Sequence, residues 1–416
     1  MNDLTLFLPC AAGVEDFLAQ EVHAITGRAG DDLRVLRGGV RVIASWREMQ
    51  LLNLRCRLAQ RVLVQLAHQP YRGEDDLYAI AGEVAWELWF TPRQTFKIET
   101  TSQGSPLKSL NFATLRIKDA IVDRFRARAG GVRPSIETRW PDARVFSHIA
   151  EETLTLYIDT SGESLFKRGW RADKGDAPLK ETLAAAMLAA SGWWNPETGD
   201  VANVPLYDPC CGSGTITIEA AQIAAGMAAG AQRRFGFEKL LPYRAETWTV
   251  LRNEALQPRE TGDVAIFGSD VSHRMVDFAQ RNAERAGVAE LVQLRGGDAL
   301  QRMPPAEAGV IVLNPPYGER IAVGGFAGAA PGGRTGAREA VQVEDDGAAG
   351  EFFPRLATHW KKNFPGWTAW VLTPDLKLPQ RMRLKESRRV PMWNGPIECR
   401  LFRFDMVAGS ARKDAA

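Results

Sequence analysis

Asn314-Pro315-Pro316-Tyr317-Gly318-Glu319-Arg320 follows directly on the apolar run Val310-Ile311-Val312-Leu313. Two successive prolines remove backbone donors and fix the turn, which leaves carbonyls facing whatever lies beyond the strand. The Asn314 side-chain oxygen and the Pro315 carbonyl then form a pair of acceptors. An amine attached to an aromatic ring is a poor nucleophile, because its lone pair is delocalised. Two acceptors can hold its two hydrogens, aim the nitrogen at an electrophilic methyl group and stabilise the positive charge that develops. Tyr317 is placed to stack on an extruded base. The bland reading, a Pro-rich turn with a capping Asn, loses weight because three other motifs agree in position.

The first of these is Asp208-Pro209-Cys210-Cys211-Gly212-Ser213-Gly214, between a strand candidate at Val204–Tyr207 and a helix from about Thr215. A strand, a glycine-bearing turn and a helix N-terminus suit a nucleotide-like ligand: glycine lets backbone come close, and the helix end offers unpaired N–H groups. The turn is not G-x-G-x-x-G and no P-loop lysine follows, which weakens a pyrophosphate reading. Gly268-Ser269-Asp270 ends the next strand, where an acid can hold a ribose diol or simply cap the following helix. Gly297-Asp298 follows another strand. A carboxylate there could accept from an adenine amino group or serve as a loop cap.

Around these motifs the chain has two characters. From about Gly169, helices and short apolar strands alternate as in a parallel α/β sheet. The predicted elements are a helix over 180–191, a helix over 215–229, strands at 264–268, 291–294 and 310–313, a helix over 274–286 ending at Gly287, and late strands at 367–372 and 397–404. Residues 225–260 are too long for a simple connection and read as an inserted helical region. Residues 322–350, rich in Gly and Ala, read as a mobile loop. Before Gly169 the elements are those of small α+β units: strands at 4–8, 40–43, 62–67, 95–100, 136–139 and 154–159, and helices over 14–25, 46–54, 77–89 and 112–128. The last helix carries an apolar stripe of Leu115, Ile117, Ile121, Val122 and Phe125.

The 416 residues imply two or three domains, and 45% hydrophobic content is enough for sizeable cores. No apolar run is long enough for a membrane span, and the start lacks the pattern of a secretion signal, so no membrane and a cytoplasmic location are expected. Five cysteines without C-x-x-C spacing argue against a disulfide framework or zinc site, and no metal is expected. A net charge of +2 neither demands nor excludes nucleic acid. Basic residues cluster locally at Arg55, Arg57 and Arg61; at Arg116, Lys118, Arg124, Arg126 and Arg128; and across Lys377 to Arg389. Each cluster could also be an ordinary solvated face.

The Asp208–Gly214 and Asn314–Arg320 motifs together resemble class I methyltransferases acting on amino groups. Thr215-Ile216-Thr217-Ile218-Glu219-Ala220-Ala221, Lys167-Arg168-Gly169-Trp170-Arg171 and Ala177-Pro178-Leu179-Lys180-Glu181-Thr182-Leu183-Ala184 sharpen the match. The chain is similar over nearly its whole length to the THUMP-domain RNA (guanine-N2)-methyltransferases, above all the bacterial enzymes acting on 23S rRNA. Arg133-Pro134, Pro141-Asp142 and Leu156 to Gly162 look like parts of the THUMP region.

The resemblance implies an α/β class I (Rossmann-like) S-adenosylmethionine methyltransferase domain over 166–416. Before it come a ferredoxin-like α+β unit over 1–65 and a THUMP RNA-binding domain over 66–165. It implies that Asp208, Cys210, Gly212 and Gly214 form the cofactor turn, with Asp208 and Gly212 against the methionine part. Asp270 would take the ribose and Asp298 the adenine. The Pro178–Thr182 segment, with Lys180 and Thr182, would close over the cofactor. Asn314, Pro315 and Tyr317 would be catalytic, and Arg116, Lys118, Arg124, Arg126 and Arg128 would contact RNA, either 23S rRNA or a ribosomal precursor. Some members carry a second, C-terminal methyltransferase domain; with this chain ending at Ala416, only the guanine-N2 activity is implied. The same acceptor motif also suits adenine N6 in DNA and a protein glutamine amide. A tRNA guanine and a non-catalytic RNA-binding role remain alternatives.

Overall fold

In the computed structural model, residues 3–175, 178–256, 264–315 and 348–407 are described. They separate into two compact units. The first gathers Met1–Cys10, Val14–Gly169 and Ala228–Pro258, and the second Ala11–Gly13, Trp170–Met227 and Arg259–Ala416.

The first unit starts as a βαββαβ arrangement: β1 (Leu4–Pro9), α1 (Glu15–Thr26), β2 (Leu33–Leu36), β3 (Gly39–Ala44), α2 (Trp46–Arg55) and β4 (Leu63–Pro70). Helix α1 ends on Gly27 in the left-handed conformation. Helix α2 starts from a reciprocal cap, in which Ser45 and Glu48 each accept from the other's backbone N–H. Then follow α3 (Glu74–Glu83), β5 (Thr95–Ser102), α4 (Leu110–Arg128), β6 (Ser135–Ile136), β7 (Ala143–Ile149) and β8 (Thr153–Asp159). One eight-stranded sheet results, in the order β2-β3-β1-β4-β8-β7-β5-β6. The pairing of β4 with β8 makes the ferredoxin-like strands and the later ones a single surface.

Three expectations shift here. Helix α3 stops at Glu83 instead of reaching Trp89, because Val84 is extended and Trp86 folds back to donate its indole N–H to the Ala81 carbonyl at 2.7 Å. Leu115 is off the buried stripe of α4 and 41% exposed. It lies about 200° around the helix from Ile117, and Ala113 and Ala120 take the buried positions instead. The strand expected over 136–139 shortens to Ser135–Ile136.

The second unit runs α5 (Glu181–Ala190), β9 (Leu206–Asp208) and α6 (Thr215–Ala224). The helix expected to reach Ala229 stops at Ala224; Gly226 just beyond has a positive φ. The chain then leaves for the first unit, contributing α7 (Ala245–Ala255) and an aromatic cluster in which Phe237 packs edge-on to Trp248 and to Trp46. It returns as β10 (Ile266–Asp270), α8 (His273–Ala286, capped by Gly287 at φ 73°), β11 (Val292–Gly296) and β12 (Gly309–Leu313). After the region expected to be a mobile loop, most of which lies outside the described residues, come α9 (Ala348–Asn363), β13 (Trp367–Thr373), α10 (Leu378–Met382), β14 (Arg388–Asn394) and β15 (Ile397–Asp405).

The strand order is β11-β10-β9-β12-β13-β15-β14. Strands β9 to β13 pair in parallel with one another, whereas β15 runs antiparallel to both β13 and β14. This is a doubly wound α/β sheet of the class I methyltransferase type, as expected. Its core on one face joins Tyr207, Ile311 and Leu313 to Leu356, Trp360, Phe364 and Trp367.

Candidate active site

Strand order reverses between β9 and β12, which pair directly with Tyr207 opposite Ile311. Ligands of open α/β sheets bind outside the carboxyl ends of the strands at such a point. Asp208 ends β9, Asp270 ends β10, Gly296 ends β11 and Asn314 follows β12, so all four motifs arrive at one edge of one sheet. Asp208 lies opposite Gly268 and Asp270 opposite Gly296, which fixes their mutual register.

The glycine turn is held by backbone and carboxylate contacts. Asp208 is buried, with 1% exposure, and its Oδ1 accepts from the Cys210 N–H at 3.0 Å. Burial pushes its carboxyl up to about 8, with the Asp270 charge adding to the shift and the Cys210 N–H opposing it. Cys211 N–H donates to the Ser269 carbonyl at 2.9 Å, locking the turn to β10. Gly212, at φ +53°, faces open space where a Cβ would stand, so a ligand can reach the backbone there. Gly214, at φ +88°, caps α6; a Cβ on it would lie 3.0 Å from Ala279 Cβ and from Ile218 Cδ1. Burial pushes the Cys210 and Cys211 thiols up, so neither is a ready thiolate.

Asp270 ties two motifs together. Its Oδ2 accepts from Gly212 N–H and its Oδ1 from Ser272 N–H, both at 2.9 Å. It therefore does act at the start of α8, through a backbone N–H, while remaining partly open at the strand edge. Asp298 Oδ1 accepts from Leu300 N–H at 2.9 Å, a bond that caps the loop after β11. Asn314 is half-buried, yet its Oδ1 is fully shielded and has no hydrogen-bond partner among the described residues. A shielded acceptor without a donor costs about 1–3 kcal/mol, so a donor from a ligand fits this atom. Pro315 is buried beside it. Tyr317 lies outside the described residues.

Lys180 is the N-terminal cap residue of α5 and Thr182 is buried in its first turn. Arg171 is the site residue that the sequence reading passed over, although it closes the Lys167–Arg171 motif. Its Nε donates to Glu181 Oε1 at 2.8 Å, its Nη1 to Ser213 Oγ at 2.9 Å and its Nη2 to Thr215 Oγ1 at 2.8 Å. Asn282, fully buried on α8, donates to the carbonyls of Ser213 and Asp173 at 3.0 and 2.8 Å. No periodicity could have shown that these distant segments meet.

The basic residues expected to touch RNA lie on α4 in the first unit, and most are engaged. Arg124 forks onto both oxygens of Glu87 at 2.8 and 2.7 Å and also donates to the Gly82 carbonyl at 2.8 Å, so it braces α4 against the end of α3. Arg116 pairs with Asp75 and lies over the Tyr78 ring, Lys118 pairs with Asp119, and Arg126 pairs with Asp123. Arg126 and Arg128 are the exposed members.

Among the described residues, no group of three or more His, Cys, Asp or Glu is placed to hold a metal ion, and no helix is long and apolar enough to cross a membrane.

Three domain families match the chain: the RlmL ferredoxin-like domain over residues 5–63, the THUMP domain over 71–159, and the RMKL-like methyltransferase domain over 168–326. The ribosomal RNA large subunit methyltransferase K/L of Shewanella sp. (strain ANA-3) is 35% identical across 99% of this chain and 54% of its own length. That of Shewanella pealeana is 37% identical across 87% and 48%. The chain thus spans about half the length of the curated relatives it matches. Among solved structures, a possible methylase from Clostridium difficile 630 superposes with a TM-score of 0.82 at 27% identity, covering 98% of this chain and all of that one. The SMU.472 protein complexed with SAH gives 0.80 at 26%, covering 99% and 100%. A predicted N6-adenine-specific DNA methylase from Listeria monocytogenes gives 0.78 at 28%, covering 97% and 96%.

Proposed function

We propose that this chain, which carries the RlmL ferredoxin-like, THUMP and RMKL-like methyltransferase domains, transfers a methyl group from S-adenosylmethionine to the exocyclic N2 of a guanine in RNA. The substrate is 23S rRNA or a ribosomal precursor, and the reaction belongs in the cytoplasm. The observation that carries this reading is the shielded Asn314 Oδ1 at the end of β12, which has no hydrogen-bond partner among the described residues and lies across the switch point from the glycine turn.

S-adenosylmethionine supplies a methyl group on a sulfonium, an electrophile that needs no further activation. The chain's residues bind and orient. Asp208, Cys210, Gly212 and Gly214 form the turn against the methionine part, Asp270 holds the ribose hydroxyls, and Asp298 takes the adenine amino group. Lys180 and Thr182 begin the helix that borders this turn. Asn314 Oδ1 and the Pro315 carbonyl would accept hydrogen bonds from the two N–H groups of the guanine amine, directing its nitrogen and stabilising charge as the N–CH3 bond forms; the S–CH3 bond breaks, S-adenosylhomocysteine leaves and the surplus proton passes to solvent. Tyr317 stacks on the base once it has left its helix. The division of labour we propose follows 1–65, 66–165 and 166–416, with residues 228–258 folding onto the first unit.

The test is a nucleoside digest after incubation with isotopically labelled S-adenosylmethionine and either rRNA or tRNA. Labelled N2-methylguanosine from rRNA is the expected product. The likeness to the predicted N6-adenine-specific DNA methylase of Listeria monocytogenes favours a second reading, and with DNA as a third substrate in the same assay, labelled N6-methyl-2′-deoxyadenosine would install it. Product from tRNA alone would move the substrate class, and no transfer to any of these would end the enzymatic reading.

A further inference from the structure

Arg171 sits where three parts of the second unit converge, and its contacts divide in a way that sets the polarity of two hydroxyls. Guanidinium is a donor only, with five N–H groups in a rigid fork. One N–H goes to Glu181 at the start of α5, and the outer nitrogens go to Ser213 Oγ and Thr215 Oγ1. The Leu179 carbonyl is also reached, at 3.5 Å. Ser213 and Thr215 flank Gly214, the cap residue of α6, and both are 5% exposed. A hydroxyl whose oxygen already accepts from Arg171 keeps its own proton for donation elsewhere. One cation therefore turns both side chains into donors beside a helix N-terminus, which is itself rich in N–H groups. Glu181, 2% exposed, pairs with the same guanidinium and offsets its charge. Asn282 fixes the turn independently by holding the Ser213 carbonyl. The hydroxyl polarity thus rests on Arg171, while the backbone of the turn does not rest on it alone.

We infer that Arg171 is a positioning residue that presets Ser213 and Thr215 as donors for the carboxylate of the cofactor's methionine end. The inference rests on the proposed S-adenosylmethionine activity and adds a recognition element to it. The site then contains two separable halves: an anion-directed one at Ser213, Thr215 and the α6 N-terminus, and a nucleoside-directed one at Asp270 and Asp298.

The two halves can be read apart with two ligands. S-adenosylhomocysteine carries the amino-acid end, and 5′-methylthioadenosine keeps the nucleoside and thioether but lacks the carboxylate. Arg171→Lys keeps a positive charge near Glu181 but cannot bridge two hydroxyls with one ammonium. Its affinity for S-adenosylhomocysteine, by calorimetry, should fall about tenfold or more, while that for 5′-methylthioadenosine should change less than threefold. Turnover at saturating S-adenosylmethionine should fall much less than kcat/KM. The pair Ser213→Ala and Thr215→Val, which leaves Arg171 and Glu181 in place, should show the same selective loss and covers the case in which Arg171→Lys does not fold. Equal loss for both ligands would make Arg171 a general structural brace, and unchanged affinity for S-adenosylhomocysteine would leave it no part in binding. Either result overturns the inference. A wild-type protein that binds neither ligand would instead remove the cofactor reading on which it depends.

Discussion

The Gly212 N–H donates to Asp270 Oδ2 at 2.9 Å, so the glycine turn after β9 and the acid ending β10 form one piece of structure. Burial pushes the Asp270 carboxyl up, and the N–H groups of Ser272 and Gly212 counter that shift. The residue has two tasks: it shapes the turn, and under the proposed function it holds the ribose.

Asp270→Ala should therefore weaken S-adenosylmethionine binding by about tenfold or more, since a hydrogen bond to a charged group is worth roughly 1.5–3 kcal/mol. Asp270→Asn can still accept from one of the two N–H groups and should lose less. Calorimetry on folded variants measures both, and equal affinity for wild type and Asp270→Ala would remove Asp270 from the cofactor site.

Asn314→Ala should act on turnover. Its shielded oxygen matters most when charge develops on the attacking nitrogen, so single-turnover methylation should slow roughly a hundredfold or more, by analogy with deletion of an oxyanion donor. Cofactor affinity should stay within about threefold. A variant that methylates at the wild-type rate would show that the amine is held by other groups.

Asp208 makes the site pH-dependent. Its carboxyl, pushed up to about 8 by burial, is largely protonated at pH 7 in the free protein, whereas the cationic ammonium of a bound methionine moiety favours the carboxylate. Binding should then release up to one proton below pH 8, and affinity should rise with pH toward 8, at most about tenfold per unit. The sign for stability is opposite. The unfolded chain ionises near the ordinary carboxylate range, so the ligand-free protein loses stability as pH rises from there through about 8, by at most about 1.4 kcal/mol per unit. Relative to Asp208→Asn, the wild type should lose ground over that window. Calorimetry in buffers of different ionisation enthalpy checks the proton count; a value of zero at pH 6.5 would place the cation away from Asp208.

What could be seen in the sequence was decided by locality. The glycine turn, Gly287 as a helix terminator and the buried run Val310–Leu313 each carry their signal within a few residues, and each lies where its pattern put it. Strand β14 was not readable, because Arg388, Arg389 and Pro391 mark an exposed edge strand that has no apolar alternation. Strand β2, exposed along most of its length, was hidden for the same reason. Arg171 lacked any signal of its own: its partners lie 8 to 44 residues away and are brought to it only by the folded α5 and α6. The basic pattern on α4 is likewise silent about pairing, since a sequence cannot say which of its cations the fold sets against Glu87 or Asp75.

The last prediction follows from that division of the cations. Deleting the N-terminal third is a poor probe of RNA binding, because Ala228–Pro258 folds with it and would expose Phe235, Phe237 and Trp248, all buried. Single substitutions in the intact chain are cleaner. Arg124→Ala breaks a forked pair with Glu87 and two carbonyl contacts on a side chain only 15% exposed. It should destabilise the first unit by roughly 1–3 kcal/mol. Arg128→Ala, at an exposed position near the end of the same helix, should leave stability within about 0.5 kcal/mol. If Arg128 contacts a phosphate, its loss should weaken RNA binding and make the log–log salt slope shallower by roughly 0.7, the value for one contact on a single strand. Thermal unfolding and filter binding across a salt series separate the two effects. Weakened binding with an unchanged slope would mean that Arg128 acts through shape. No change in either quantity would take α4 out of the RNA surface and leave the Lys377–Arg389 segment as the basic surface to test next.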